Sequence, residues 1–318
     1  MLHLFRLCSF PVRCNNVSIL QQSFKVYGLI SEPLVEPSYH YPYRFDNWYD
    51  LVNVDSRENQ CPVSYQNVVV IRHGDRIDNS EPSWLSTASQ PWDPPLAQVG
   101  RVRAFQTGQR IRKSIGFPIH RVFVSPFLRC IQTAVEIVAA LSTVGESSDA
   151  LTGDRVVVDL AKVKVSVEYG LCEMMNRKAI RLEVVPNDGN WNLDASEREA
   201  MLPAEAVDTY VERVYKELPQ WEEPVLQTRA RFQRIFKDLA NKYPYENLLL
   251  ITHGEGVEVA LSSFKKNAKV SELQYCAYVE LRRAVFKKHR SFTTEEFHVV
   301  TNNGETGISY FLPSCIGS

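Results

Sequence analysis

Asn67-Val68-Val69-Val70-Ile71-Arg72-His73-Gly74-Asp75-Arg76 is the stretch that decides the fold. Val68 to Ile71 are β-branched and uncharged, which suits a strand buried on both faces, and such strands sit inside parallel sheets. Ligands of open α/β sheets bind beyond the carboxyl ends of their strands. Here that end carries one imidazole between the permanent cations Arg72 and Arg76, a set suited to docking a small anion.

The chain around it has 318 residues, enough to bury a substantial core. With 44% hydrophobic and 23% charged residues it has the composition of a globular enzyme, and no apolar run approaches bilayer length. A net charge of -1 argues against bulk attraction to nucleic acid, so any anion binding must be local. Seven cysteines (Cys8, Cys14, Cys61, Cys130, Cys172, Cys276, Cys315) are scattered without a CxxC pair or metal-ligand spacing, which reads as reduced thiols in an intracellular compartment.

Residues 1–60 read as an N-terminal extension and 61–318 as the catalytic domain. Residues 1–30 contain Arg6, Arg13 and Lys25 and no acidic residue. That composition fits either an organellar transit peptide or a terminal arm, so the expected location is the cytoplasm, or a plastid or mitochondrion if the segment is a transit peptide. Tyr39, Tyr41, Tyr43, Trp48 and Tyr49 suggest an aromatic wrap between it and the domain.

Downstream of the opening strand, a long loop (77–95) with Trp84 and Trp92 precedes a helix from Leu96 to about Ser114, stopped at Gly116. Arg121 to Ser125 is the next strand. Ser125-Pro126 is expected to cap a helix whose buried face is Leu128, Ile131, Val135 and Val138. A flexible connection, 139–154, leads to a strand at Val163 to Val167, and 174–203 reads as an insertion loop. Two helical patterns follow, Val207 to Leu218 and Phe232 to Leu239. Asn247 to His253 is another apolar strand, with a helix expected after Gly254. The tail offers strands at 277–283 and 296–301, joined by the basic turn Lys287-Lys288-His289-Arg290. This alternation implies a three-layer α/β fold, a mostly parallel sheet with helices on both faces.

Strand ends at Arg72-His73, Ser125, Glu168 and His253 should then lie along one sheet edge. Arg129, in the first turn of its helix, projects toward the same edge, where free backbone N–H groups favour an anion. Bidentate arginine forks bind a phosphate monoester and neutralise its equatorial oxygens in the transition state. An imidazole with an unperturbed pKa of about 6.5 is a competent nucleophile near neutrality. His73 is therefore the expected nucleophile, forming a phosphohistidine. A carboxyl held neutral by its surroundings would protonate the leaving group and later activate water. Glu173 is the candidate for that role, with Glu168 on the same segment as the alternative, and His253 would hydrogen-bond the phosphoryl oxygens. Gln132 and Thr133 would orient Arg129, Glu255 would serve its helix start, and Asp93 and Gly100 read as loop and helix-packing residues. Met174, Met175 and Arg177 would flank the leaving group.

Arg72-His73-Gly74, Ser125-Pro126-Phe127-Leu128-Arg129-Cys130-Ile131-Gln132-Thr133-Ala134 and Thr252-His253-Gly254-Glu255 together resemble the histidine phosphatase (phosphoglycerate mutase-like) superfamily, branch 1. The resemblance runs from about Asn67 to the C-terminus. It implies that His73 is phosphorylated, that Arg72, Arg129 and His253 complete the phosphate pocket, and that neither metal nor cofactor is needed. Arg72-His73-Gly74-Asp75-Arg76 and Val167-Glu168-Tyr169-Gly170-Leu171-Cys172-Glu173 are most similar to the phosphatase domains of the suppressor of T-cell receptor signalling type. That similarity adds Arg76 as a phosphate contact and favours Glu173 over Glu168. Asp75 stands where that branch has Glu, and the loop 79–92 lacks the Gly-Trp sequence of the cofactor-dependent mutases. The expected function is metal-independent phosphomonoester hydrolysis, with a phosphomutase or a catalytically weak phosphate-binding scaffold as alternatives. A phosphate monoester is the expected partner, with no nucleic acid, no membrane, and a homodimer left open.

Overall fold

A computed structural model describes residues 61–144, 157–158, 163–208, 210–289 and 291–313. The expected N-terminal extension and aromatic wrap, and most of the 139–154 connection, lie outside the described residues. In chain order the elements are β1 (Ser64–Arg72), α1 (Ile77–Ser80), α2 (Trp84–Thr87), α3 (Gln98–Ser114), β2 (Arg121–Val124), α4 (Leu128–Leu141), β3 (Thr143–Val144), β4 (Val157–Val158), β5 (Lys164–Val167), α5 (Ala195–Glu199), α6 (Val225–Lys242) and β6 (Leu248–Thr252). After them come α7 (Gly254–Phe264), β7 (Lys269–Leu273), β8 (Tyr278–Lys288), β9 (Ser291–Thr294), β10 (His298–Val299) and β11 (Ile308–Phe311).

The main sheet runs β10-β8-β1-β6-β2-β5, with β9 beside β8. Its core, β1-β6-β2-β5, is parallel, and β8 closes one side antiparallel to β1. Because side chains alternate across a strand, β1 feeds two separate cores. Val69 and Ile71 pack with Ala104 and Ile111 of α3 and Ile131 and Val138 of α4. Val68 and Val70 pack with Phe232 and Phe236 of α6 and Val257 and Leu261 of α7. Helices thus cover both faces, giving three layers.

Register brings the functional ends level. Val70 pairs with Leu250 and Arg72 with Thr252, while Val124 pairs with both Ile251 and Val167. The ladder runs on past the strands, since His73 N–H donates to Thr252 O, Ser125 N–H to Ile251 O and Glu168 N–H to Val124 O, at 3.0, 3.0 and 2.9 Å.

Several expected elements differ. Val207 to Leu218 is not a helix, although its apolar spacing mimics one. Its backbone is instead pinned to the sheet edge: Val165 and Val207 form a parallel bridge, and the Glu168 carboxylate accepts the N–H groups of Val214 and Tyr215 at 2.8 and 2.9 Å. Those tertiary bonds replace the intrahelical ones. The segment 174–203 is a packed arm, burying Met175, Ile180, Trp191 and Leu193 and forming α5, rather than a loose insertion. Lys287 and Lys288 belong to β8, and the turn falls at His289, with φ 45°. The run 296–301 contributes only His298–Val299 to the sheet, while β7 and β11 pair with each other.

Gly100 shows why the chain can close at the nucleophile end. A Cβ there would stand 2.7 Å from Asp75 N, and one on Gly74 would stand 2.7 Å from Gly100 O. Both contacts are backbone against backbone, which cannot yield. Gly100→Ala is expected to destabilise the domain by about 3 kcal/mol, read as a fall in the urea midpoint. An unchanged midpoint would show that the α3 approach is looser than this packing requires.

Candidate active site

His73 follows the last residue of β1 and is 3% exposed. Its Nδ1 lies 2.8 Å from Gly74 O. A carbonyl only accepts, so Nδ1 must carry the ring proton, and the lone pair sits on Nε2. No other hydrogen bond holds this ring among the described residues. Burial first, then the charges of Arg129, His253 and Arg72, push its pKa well below the ordinary histidine value. The imidazole is therefore neutral at physiological pH.

His253 follows β6, fully buried, with ring centroid 5.4 Å from that of His73. Its Nδ1 is 3.1 Å from Glu173 Oε2 and its Nε2 is 2.8 Å from Ser125 Oγ. The consistent pattern is Nδ1–H donating to the carboxylate and Ser125 O–H donating to Nε2. Ser125 does not cap α4 as expected: the chain stays extended at Phe127, the helix starts at Leu128, and the Asp93 Oδ1 accepts the Leu128 N–H at 2.8 Å. The serine is thereby free to hold His253.

Arg129 enters from the first turn of α4, 1% exposed, and its Nη2 donates to Glu173 Oε2 at 3.2 Å. The guanidinium lies over the Phe127 ring at 4.3 Å. Its Nε and Nη1, and the Nε of Arg72, are buried with no hydrogen-bond partner among the described residues. Buried polar groups are almost always satisfied, so these donors mark a place where acceptor oxygens belong. Arg72 is fixed by an Nη1 bond to Leu273 O at 2.6 Å and by the Tyr275 ring, 4.2 Å from its guanidinium carbon. Tyr275 also lies 5.8 Å from the His73 ring, centroid to centroid.

Glu168 and Glu173 separate cleanly. Glu168 spends both oxygens on the backbone of Gly170, Val214 and Tyr215. Glu173 meets Arg129 and His253. Arg231 of α6 holds its segment by donating to Gly170 O and Cys172 O at 2.8 and 2.9 Å. Arg76 forms a fork on Asp78 through its Nε and Nη2, at 2.9 and 2.5 Å, which leaves Nη1 outside the fork. Thr133 Oγ1 accepts the Gly74 N–H and donates to Arg129 O, tying the two motifs together. Gln132 instead accepts the Leu96 N–H, and Glu255 pairs with Arg229.

The electrostatics correct one expectation. Burial would raise the Glu173 carboxyl, but His253 and Arg129 outweigh it and hold the group well below the usual carboxylate range. Without a bound anion, Glu173 is ionised rather than neutral. Burial lowers the His253 pKa to about 4, Glu173 opposing and Arg129 adding to the shift. Both groups bind fewer protons folded than unfolded. The stability these two groups contribute is therefore complete above about pH 6.5 and falls as pH drops toward 4 through His253, then further through Glu173, by up to about tenfold in the folding constant per pH unit for each group. Urea midpoints measured from pH 7 to 4 should fall steadily in the wild type, and less steeply in His253→Gln. Equal slopes would remove His253 from this balance.

His73, Glu173 and His253 each offer a ligand atom within 4.8 Å of one another. A cation there would face Arg72 and Arg129, whereas an anion would satisfy their free donors. Sequence reasoning missed Ser125 as the His253 partner, and missed Tyr275, Arg231 and Asp93. Asp93 had a readable signal, an acid between Trp92 and paired prolines, but its partner is contributed by a distant segment.

Residues 68–152 match the model of the histidine phosphatase superfamily (branch 1). That matched stretch carries most of β1 and all of β2 and α4. Mouse ubiquitin-associated and SH3 domain-containing protein A is 30% identical over 193 residues, covering 48% of this chain and 28% of the relative. The human form is 28% identical over 193 residues, covering 48% of this chain and 26% of the relative. The chain thus spans about a quarter of the length of these curated relatives, which support the similarity to the suppressor of T-cell receptor signalling type. Among solved structures, an ecdysone phosphate phosphatase from Bombix mori in complex with tungstate is similar at 17% identity and TM-score 0.48, covering 74% of this chain and 92% of that one. No helix among the described residues is long and apolar enough to cross a membrane.

Proposed function

We propose that this protein hydrolyses phosphate monoesters through a phosphohistidine on His73, without a metal ion. One observation carries the reading: the partnerless buried donors of Arg72 and Arg129 flank an imidazole whose tautomer leaves Nε2 its lone pair. Phosphoryl oxygens would complete both guanidiniums while phosphorus meets Nε2. The N–P bond forms as the P–O bond to the leaving group breaks, and Glu173 gives that oxygen its proton. Water then attacks phosphorus, Glu173 takes the water proton, and the N–P bond breaks to return His73 and inorganic phosphate.

Glu173 begins ionised, so its proton must arrive with the substrate. A phosphate monoester has a second pKa of about 6, and its monoanion carries that proton into the pocket. As pH rises through that range the monoanion disappears, so kcat/KM is expected to fall above about pH 6 by up to tenfold per unit. A profile flat to pH 8 would mean that Glu173 takes its proton from solvent.

The direct test is turnover of an aryl phosphate in the presence of a chelator. Sustained release of phosphate supports the reading, and loss of activity on chelation, restored by a divalent ion, overturns it. A panel of phosphorylated metabolites and phosphotyrosine peptides would then define the substrate.

A further inference from the structure

Behind the phosphate arginine lies a second buried charge that the chemistry above does not use. Asp93, 2% exposed, accepts the Leu128 N–H at 2.8 Å, and its Oδ1 lies 3.8 Å from Arg129 Nη1. Its close ionic partner is a different arginine: Arg198 Nη2 stands 2.9 Å from Asp93 Oδ2, and Arg198 is 4% exposed. Arg198 comes from the last turn of α5, a short helix capped by Asp194, and also donates to Asn192 O at 2.7 Å. Trp92 Nε1 donates to Trp191 O at 3.0 Å, so the two segments are joined twice.

We propose that Arg198 is a positioning residue for Arg129, acting through Asp93. The inference rests on the reading that Arg129 holds the phosphoryl group. The charges alternate along one buried line, Arg198, Asp93, Arg129, Glu173. A buried carboxylate demands a close cation. With Arg198 supplying it, Asp93 stays 3.8 Å from Arg129, beyond hydrogen-bond reach, and Nη1 keeps its donors for an anion. Without Arg198, Asp93 closes on Arg129 and takes those donors itself. The segment 189–199 thereby sets how much of Arg129 the substrate receives, although α5 touches no substrate.

The test measures binding of inorganic phosphate by calorimetry, while aryl phosphate turnover by the wild type reports separately on the phosphatase reading. Arg198→Met should weaken phosphate binding about tenfold or more, because Asp93 now competes for Arg129. Asp93→Asn combined with Arg198→Met should recover most of that affinity, since the competing charge is gone. A residue that merely packs α5 would not be rescued by a second substitution. Should Arg198→Met not fold, the comparison is Asp93→Asn with the double variant, which must bind phosphate alike, within about twofold. Unchanged affinity in Arg198→Met, a double variant as weak as the single, or a further loss on adding Arg198→Met to Asp93→Asn each overturns the proposal.

Discussion

His73→Ala should abolish turnover of an aryl phosphate, by at least about 10⁴-fold, and with it any acid-labile phosphoprotein. Among the described residues, no other group in the pocket is placed to replace it. Both nitrogens of His253 are engaged, by Glu173 and Ser125, and the Cys130 thiol beside it is pushed up by burial and stays protonated. The variant should still bind inorganic phosphate, since Arg72 and Arg129 remain, and should unfold at an unchanged or higher urea concentration because a desolvated imidazole has gone. Acid-quenched labelling with a radioactive aryl phosphate donor checks the intermediate. Label retained in His73→Ala, or undiminished turnover, would transfer the chemistry to another residue.

Glu173→Gln should cost about 10² to 10⁴ in turnover of an alkyl phosphate, whose leaving oxygen needs a proton. An aryl phosphate with an acidic phenol leaves unaided, so its first step should be nearly untouched. Its second step still needs a base for water, and the variant should therefore accumulate phosphoenzyme and release a burst of phenol. The split between leaving groups is the informative part. A purely structural Glu173, holding Arg129 and His253 in place, would lower both substrates alike and leave no trapped intermediate.

The two carboxylates show how far local reasoning reached. Glu168 and Glu173 lie on one segment and both precede or follow a 3-10 turn at Tyr169–Leu171. Locally Glu168 caps that turn through the Gly170 N–H, and packing against the 213–215 segment on one side and the His253 ring on the other completes the separation of their surroundings. Arg76 shows the opposite case. Its fork partner, the Asp78 carboxylate, lies two residues away and is a local contact, while the phosphate contact implied by its motif match would fall to the Nη1 outside that fork.

What the sequence by itself determined is the set of strand-to-helix junctions. A β-branched apolar run ending in Arg72-His73, a leucine-rich one ending in Thr252-His253, and a run ending in Ser125 with Arg129 one helical turn beyond, dictate parallel strands whose polar ends share one edge, because burial and pleat alternation are local properties of residue type. Tertiary structure alone decided the partners. Ser125 on His253, Arg198 on Asp93 and the unwound Val207 to Leu218 each depend on which distant group supplies a hydrogen bond or charge, and sequence spacing carries no record of that. Burial and neighbouring charge did the rest: desolvation holds His73 and His253 neutral, while His253 and Arg129 outweigh desolvation and hold Glu173 ionised, and nothing within their own motifs records this.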